Sequence, residues 1–322
     1  MKNNEIKSYE SSLFLKYHKA KVSHIIMLKD GRLSSCSFDK KIIIYKKNTF
    51  QIDQIIEGKN SFIFHIQLSN SNIIGVHTNC NINTLEIYEL NNNKYKLSQE
   101  IIIKEERKAN KIIEIDDKTF ALCFKFIVLQ IYQKNENKKY TQIMEKWNLG
   151  CKSYGRLNLI KVNESELASC SSGLHQIIFL DIKNNLKTIA CISNIDCSER
   201  KNSMLMLNDK ILLVCSIHTN GIYLIDTKKH IIIKHIMKGI FCSSMIKLLN
   251  GNFLMGYKDR NNKSGLNEYK YEKDTFVKIK SIKEKKYILN LCEMKDGKIA
   301  SLSGNAKIKI WSKINNINFQ KI

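Results

Sequence analysis

The segment HIIMLKDGRLSSCSFDKKIIIYK (residues 24–46) runs from an apolar stretch through an Asp-Gly turn and a run of small residues. It closes on a second apolar run that ends in Tyr45. Ile25, Met27 and Leu33, then Ile42 and Ile44, alternate with a period of two, which belongs to strands rather than helices. Val, Ile and Tyr are also the residues that fit a pleated, half-buried surface. The same succession returns at 64–89, 111–134, 158–183, 203–228, 244–273 and 290–313, a period of about 40–48 residues. Units of this length cannot bury their apolar faces alone and must stack.

Each copy carries a turn at the same place. LysAspGly at 29–31 and 295–297 and LeuAsnGly at 249–251 read as tight hairpins, because Asp-Gly and Asn-Gly tolerate positive φ. The other copies place Ser69–Ser71, Asp116–Asp117, Asn163–Ser165 and Asn208–Asp209 there. Each unit thus holds a strand, a turn, a second strand of small residues and a third strand. An edge strand follows, as in FQIDQII (50–56), KYKLSQEI (94–101) and TFVKIKSI (275–282). Four strands per unit at this period make a propeller blade. The expected fold is all-β: seven four-stranded antiparallel blades in one domain over 1–322. An open ring would leave edges. SYESSLFLK (8–16) is therefore expected to complete the blade holding 289–313, with NFQKI (318–322) as the competing donor.

LSSCSFDKKIIIY (33–45) resembles the second half of a WD40 repeat, and KIASLSGNAKIKIWS (298–312) keeps that family's Trp at Trp311. The third strands end at Tyr45, Tyr88, Tyr132, Leu180, Ile225, Tyr271 and Trp311. The fourth and fifth copies keep the Asp that follows (Asp181, Asp226). The resemblance spans about residues 18–313 and implies a hydrogen-bonded staple of His18, Asp39, a strand serine (Ser35 or Ser37) and Tyr45. Other copies place Asn220, Asn305 or Gly173 at the turn, so their blades are expected to rest on apolar packing.

The N-terminal MKNNEIKSYESS has no apolar core of a secretory signal, and no run nears the roughly 18 apolar residues of a membrane span. Ten cysteines then fit a reducing compartment, and the cytoplasm is the expected location, with the nucleus as alternative. The net charge of +23 points toward polyanions, but only five of the 53 basic residues are Arg. Lysine enrichment beside abundant Ile and Asn and no Pro fits A/T-rich codon usage, and base readout favours Arg forks. LysTyrHisLysAlaLys (16–21) and the stretch 278–286 are the candidate basic rim. On the edge strand, lysines also serve to block edge-to-edge pairing.

Cys36, Cys123, Cys170 and Cys215 recur at one position of the second strand, a packing choice for a small hydrophobe. No CxxC pair, HExxH, phosphate loop, GxSxG or GxGxxG is present, so no metal, cofactor or catalytic centre is expected. His77 and His218 are expected on connecting loops. By the resemblance, one face is built from loops entering the first strand and loops joining the second and third. Phe38, Phe62, Tyr154, Arg156, Arg200, Phe241 and Tyr287 map there, and aromatics and Arg dominate interface hot spots. Phe62 and Phe241 have the alternative of packing within their blades. The expected function is a non-enzymatic scaffold: a monomeric propeller within a larger complex, binding an unidentified protein or peptide. The alternative is an RNA- or ribonucleoprotein-binding propeller using a Lys-rich rim.

Overall fold

A computed structural model describes residues 9–79, 82–104, 108–124, 128–147, 157–171, 175–195, 197, 203–216, 221–272, 275–304 and 307–313. After β1 (Tyr9–Leu15), blade 1 is β2–β5 (Val22–Met27, Leu33–Ser37, Lys41–Tyr45, Ile52–Glu57). Blade 2 is β6–β9 (Phe62–Gln67, Ile73–Asn79, Ile82–Asn91, Lys94–Lys104) and blade 3 is β10–β13 (Ala109–Glu114, Thr119–Phe124, Val128–Lys134, Tyr140–Trp147). Blade 4 is β14–β17 (Leu157–Asn163, Glu166–Ser171, Gln176–Asp181, Lys187–Ser193) and blade 5 is β18–β21 (Met204–Met206, Ile211–Ser216, Gly221–Asp226, Ile231–Ile236). Blade 6 is β22–β25 (Ile240–Lys247, Phe253–Asp259, Ser264–Glu272, Thr275–Glu284). Blade 7 is β26–β28 (Ile288–Glu293, Ile299–Ser303, Ile308–Lys313) with β1 as its outermost strand. The ring is closed by the N-terminal strand, Leu15 opposite Ile308 and Tyr9 opposite Lys313. Residues 318–322 lie outside the described residues.

The turns repeat in chemistry as well as position. In all seven, the Oδ1 of an Asp or Asn accepts the backbone N–H two residues on, at 2.9–3.1 Å: Asp30, Asn70, Asp116, Asn163, Asn208, Asn250 and Asp296. Such side chains mimic a backbone turn, which is why Asn and Asp could interchange along the repeat. Gly31, Gly251 and Gly297 follow at φ 91, 84 and 78, in the left-handed region.

No single core exists. Seven clusters of buried residues each join two neighbouring blades, such as Phe64, Leu85, Phe120 and Tyr132 between blades 2 and 3. Tyr45, Leu33 and Ile25 pack on Ala300, Leu302 and Ile310 across the closing seam. A blade is therefore buried on both faces only while the ring is closed. The four repeat-locked cysteines are all buried in these seams.

The sequence pattern places the sixth aromatic at Tyr271, and the structure corrects this to Tyr269. Phe253 at the head of β23 faces Tyr269, as Phe120 faces Tyr132 and Ile299 faces Trp311. A bulge falls beside Tyr269, as it does beside Tyr45, Tyr88 and Tyr132. Tyr271 lies two residues on, packed against Phe276. His77 is likewise not on a loop: it is a buried member of β7, pairing with Phe62. His218 lies outside the described residues.

Candidate functional site

In blade 1 the expected staple is formed. The His18 Nδ1–H donates to Asp39 (2.9 Å), Ser35 Oγ donates to His18 Nε2 (2.7 Å), and Tyr45 O–H donates to Ser35 Oγ (2.7 Å). Asp39 also accepts the Lys19 and Lys41 backbone N–H groups. Burial pushes the His18 imidazole below its ordinary value, against the opposing pull of Asp39. Burial opposes ionisation of Asp39 too, yet the Lys19 N–H and His18 hold it below the usual carboxylate range. Each member is saturated by another, so this group holds a blade together.

Other blades do not rest on apolar packing alone, which corrects the sequence expectation. Tyr88 O–H donates to the buried Glu86, whose Oε2 lies 2.8 Å from His77 Nε2. Tyr132 donates to Gln130 Oε1 (2.7 Å), Asn267 donates to Tyr269 (3.1 Å), and Trp311 Nε1–H donates to Ser301 Oγ (2.8 Å). The partner is Glu, Gln or Asn two residues before the Tyr in blades 2, 3 and 6, a spacing visible in the sequence. Blade 4 has Leu180 at that place, and Ser169, aligned with Ser35, has no hydrogen-bond partner for its buried Oγ among the described residues.

The loop face collects two of the sequence-derived contact residues. Phe241, near the start of β22, and Tyr287, entering β26, line one cavity of about 450 Å³ with Gly239, Lys258, Asp259, Arg260 and Asn262. Tyr287 is 37 % exposed and is seated on the next blade, where its carbonyl accepts the Gly304 N–H at 2.9 Å. A Cβ at Gly304 would stand 3.0 Å from that ring. Arg260 lies beside Gly239, which has a φ of 87, and a Cβ at that position would stand 3.0 Å from Arg260 Nε. Asp259 is occupied in its hairpin, accepting the Lys263 N–H at 2.8 Å. Arg260 makes no ion pair among the described residues. The cavity is thus aromatic on two sides and cationic on the third. Arg260 was missed by sequence reasoning, although it is one of five arginines and lies on a loop joining second and third strands.

The remaining candidates fall elsewhere. Phe38 is exposed on the same face but on blade 1. Phe62 has no exposed surface: it packs 4.1 Å from the His77 ring, and glycines at 58 and 75 make room for it. With no surface to offer a partner, it is a packing residue of its blade. Tyr154, Arg156 and Arg200 lie outside the described residues. The lysines of 278–283 stand on the outer strand of blade 6 and those of 16–21 on the loop into blade 1, with blade 7 between them.

The crystal structure of the WD40 β-propeller domain of Doa1 superposes with a TM-score of 0.70 over 95% of this chain and 98% of that one, at 15% identity. This is the WD40 propeller fold. No family model matches the sequence. No curated protein matches it either. The WD40-like architecture is accordingly carried by pattern and geometry rather than by residue identity.

Proposed function

We propose that this WD40-like propeller is a non-enzymatic cytoplasmic scaffold that holds a protein or peptide against its loop face, anchored at the cavity between blades 6 and 7. The observation that carries the reading is the convergence on one concave site of Tyr287, Phe241 and Arg260, the last without an ion pair among the described residues. Aromatic and Arg side chains around a pocket are the usual anchors of interfaces. The titratable pairs His18–Asp39, His77–Glu86 and His230–Glu166 are engaged in holding strands together, which supports binding over catalysis.

The test is affinity purification of the full chain and of an Arg260→Ala, Tyr287→Ala double variant, followed by mass spectrometry. A protein retained by the first and lost by the second is the expected result. Recovery of the bait alone, repeated under gentle conditions, overturns the scaffold reading. Retention that disappears with ribonuclease and falls by orders of magnitude between about 50 and 200 mM salt supports the RNA-binding alternative instead.

A further inference from the structure

Propeller blades expose an outer strand, and natural proteins blunt such edges with charges, bulges or interruptions. Most edges here follow that rule. In β25, exposed Val277 and Ile279 are separated by Lys278 and followed by Lys280. β5, β13 and β17 each expose a single large isoleucine (Ile55, Ile143 and Ile189), β9 exposes Leu97 and Ile102 far apart, and β1 exposes the pair Leu13 and Phe14. β21, the terminal strand of its sheet, breaks the pattern. Ile231, Ile232 and Ile233 are consecutive and 50, 38 and 46 % exposed. A bulge falls beside Ile233, as one does in the outermost strand pair of every other blade, so what sets β21 apart is a run of three exposed isoleucines with no charged residue among them.

The chemistry at the ends of this edge says what can cover it. Lys228 and Lys229 precede the isoleucines and Lys234 and Lys238 follow them, all exposed and none in an ion pair among the described residues. A second copy of the chain is a poor occupant. Antiparallel self-pairing with Ile231 opposite Ile232 sets Lys229 opposite Lys234 twice, and any register brings together lysine-flanked strands of two bodies that each carry a net charge of +23. Like charges directly opposite destabilise a strand pair. An incoming strand of acidic character meets neither obstacle.

We propose that the outer edge of blade 5 is a strand-addition site for an extended partner segment in which β-branched residues alternate with Asp or Glu. Its backbone would pair with the free edge of β21 while the isoleucines cover its apolar side chains and the four lysines face its carboxylates. Main-chain pairing supplies affinity in this mode and alternate side chains supply specificity. The site is separate from the loop-face cavity and does not depend on it.

The probe is a fluorescein-labelled peptide of about ten residues alternating Val or Ile with Glu, titrated into the full chain by anisotropy. Saturable binding, lost when Lys replaces Glu in the peptide, is expected. Ile232→Lys should weaken it by about tenfold or more, and the Arg260→Ala, Tyr287→Ala variant should bind it unchanged. Hydrogen exchange should slow at β21 amides on binding. Absence of saturable binding, equal binding of the Lys peptide, or no effect of Ile232→Lys overturns the proposal. So does concentration-dependent self-association that Ile232→Lys abolishes, which would make the occupant a second copy.

Discussion

The two ends of this propeller are built on different terms. At the turn end, the same devices recur from blade to blade. Every turn carries its Asp or Asn, and in four blades a residue at or near the end of the inner strand reaches back to the preceding blade. Gln67 accepts the Lys29 N–H (2.7 Å), Glu114 the Ser69 N–H (2.5 Å) and Glu293 the Leu249 N–H (2.6 Å), while Lys161 donates to the Ile115 carbonyl (2.6 Å). The loop end repeats far less. Its 450 Å³ cavity is lined by residues of one blade junction, whereas the cavity at the turn end, between blades 1 and 7, is about 180 Å³. Repetition accompanies groups that bond the ring to itself, and the proposed binding site lies where repetition lapses.

A polar residue near the loop end can still be structural, and stability measurements separate the two kinds. The largest expected effect is at Glu86. Its removal takes the acceptor from the buried Tyr88 O–H and the carboxylate that lies 2.8 Å from the buried His77 Nε2, and Glu86→Ala should cost about 3–5 kcal/mol in chemical denaturation. A loss below about 1 kcal/mol there would mean that the blade 2 substitute is not a staple. Asp39→Ala should cost about 1–3 kcal/mol, because it leaves the His18 N–H and two turn amides without their acceptor.

The same staple sets a pH dependence. His18 titrates below its ordinary 6.5 in the folded protein, so the unfolded chain takes up a proton first as pH falls. Stability should therefore decline below about pH 6.5, and the slope of Tm between pH 7 and 5 should be shallower in His18→Gln. Asp39 and Glu86 act lower: their stabilisation is present above the ordinary carboxylate values of 3.8 and 4.5 and is lost as pH falls through the depressed folded values. The smallest effect is at Ser169→Ala in blade 4, within about 0.5 kcal/mol or slightly stabilising, since the buried hydroxyl gains nothing where it is. A cost comparable to Asp39→Ala would show a partner for that hydroxyl.

The ring was legible because its determinants are local. The alternation of Ile25, Met27 and Leu33, the turn Asp or Asn and the small second strand each report backbone geometry within a few residues. The closing role of 8–16 followed from the need to cover an edge. The staples were less legible because a hydrogen bond asks only for a donor and an acceptor in reach. Ser35 supplies it from the second strand, whereas Glu86 and Gln130 supply it from the third, so matching residues column by column reaches the blade 1 staple of His18, Asp39, Ser35 and Tyr45 and none of the others. Tyr269 and Tyr271 both close an apolar run, and only the pairing with Phe253 distinguishes them. Residue type and repeat position point to Tyr287, which enters β26, and Phe241, near the start of β22, and the structure brings both to one cavity. Phe62 is buried instead, because Gly58 and Gly75 open a space inside the blade for its ring.

The division between the two ends is tested most directly by Glu114→Ala and Tyr287→Ala, each measured for thermal midpoint and for recovery of the captured protein. Glu114→Ala should lower Tm by about 2 °C and keep the partner. Tyr287→Ala should leave Tm unchanged and lose it. Loss of the partner in Glu114→Ala with retention in Tyr287→Ala, or loss of both properties together in both variants, would contradict the account.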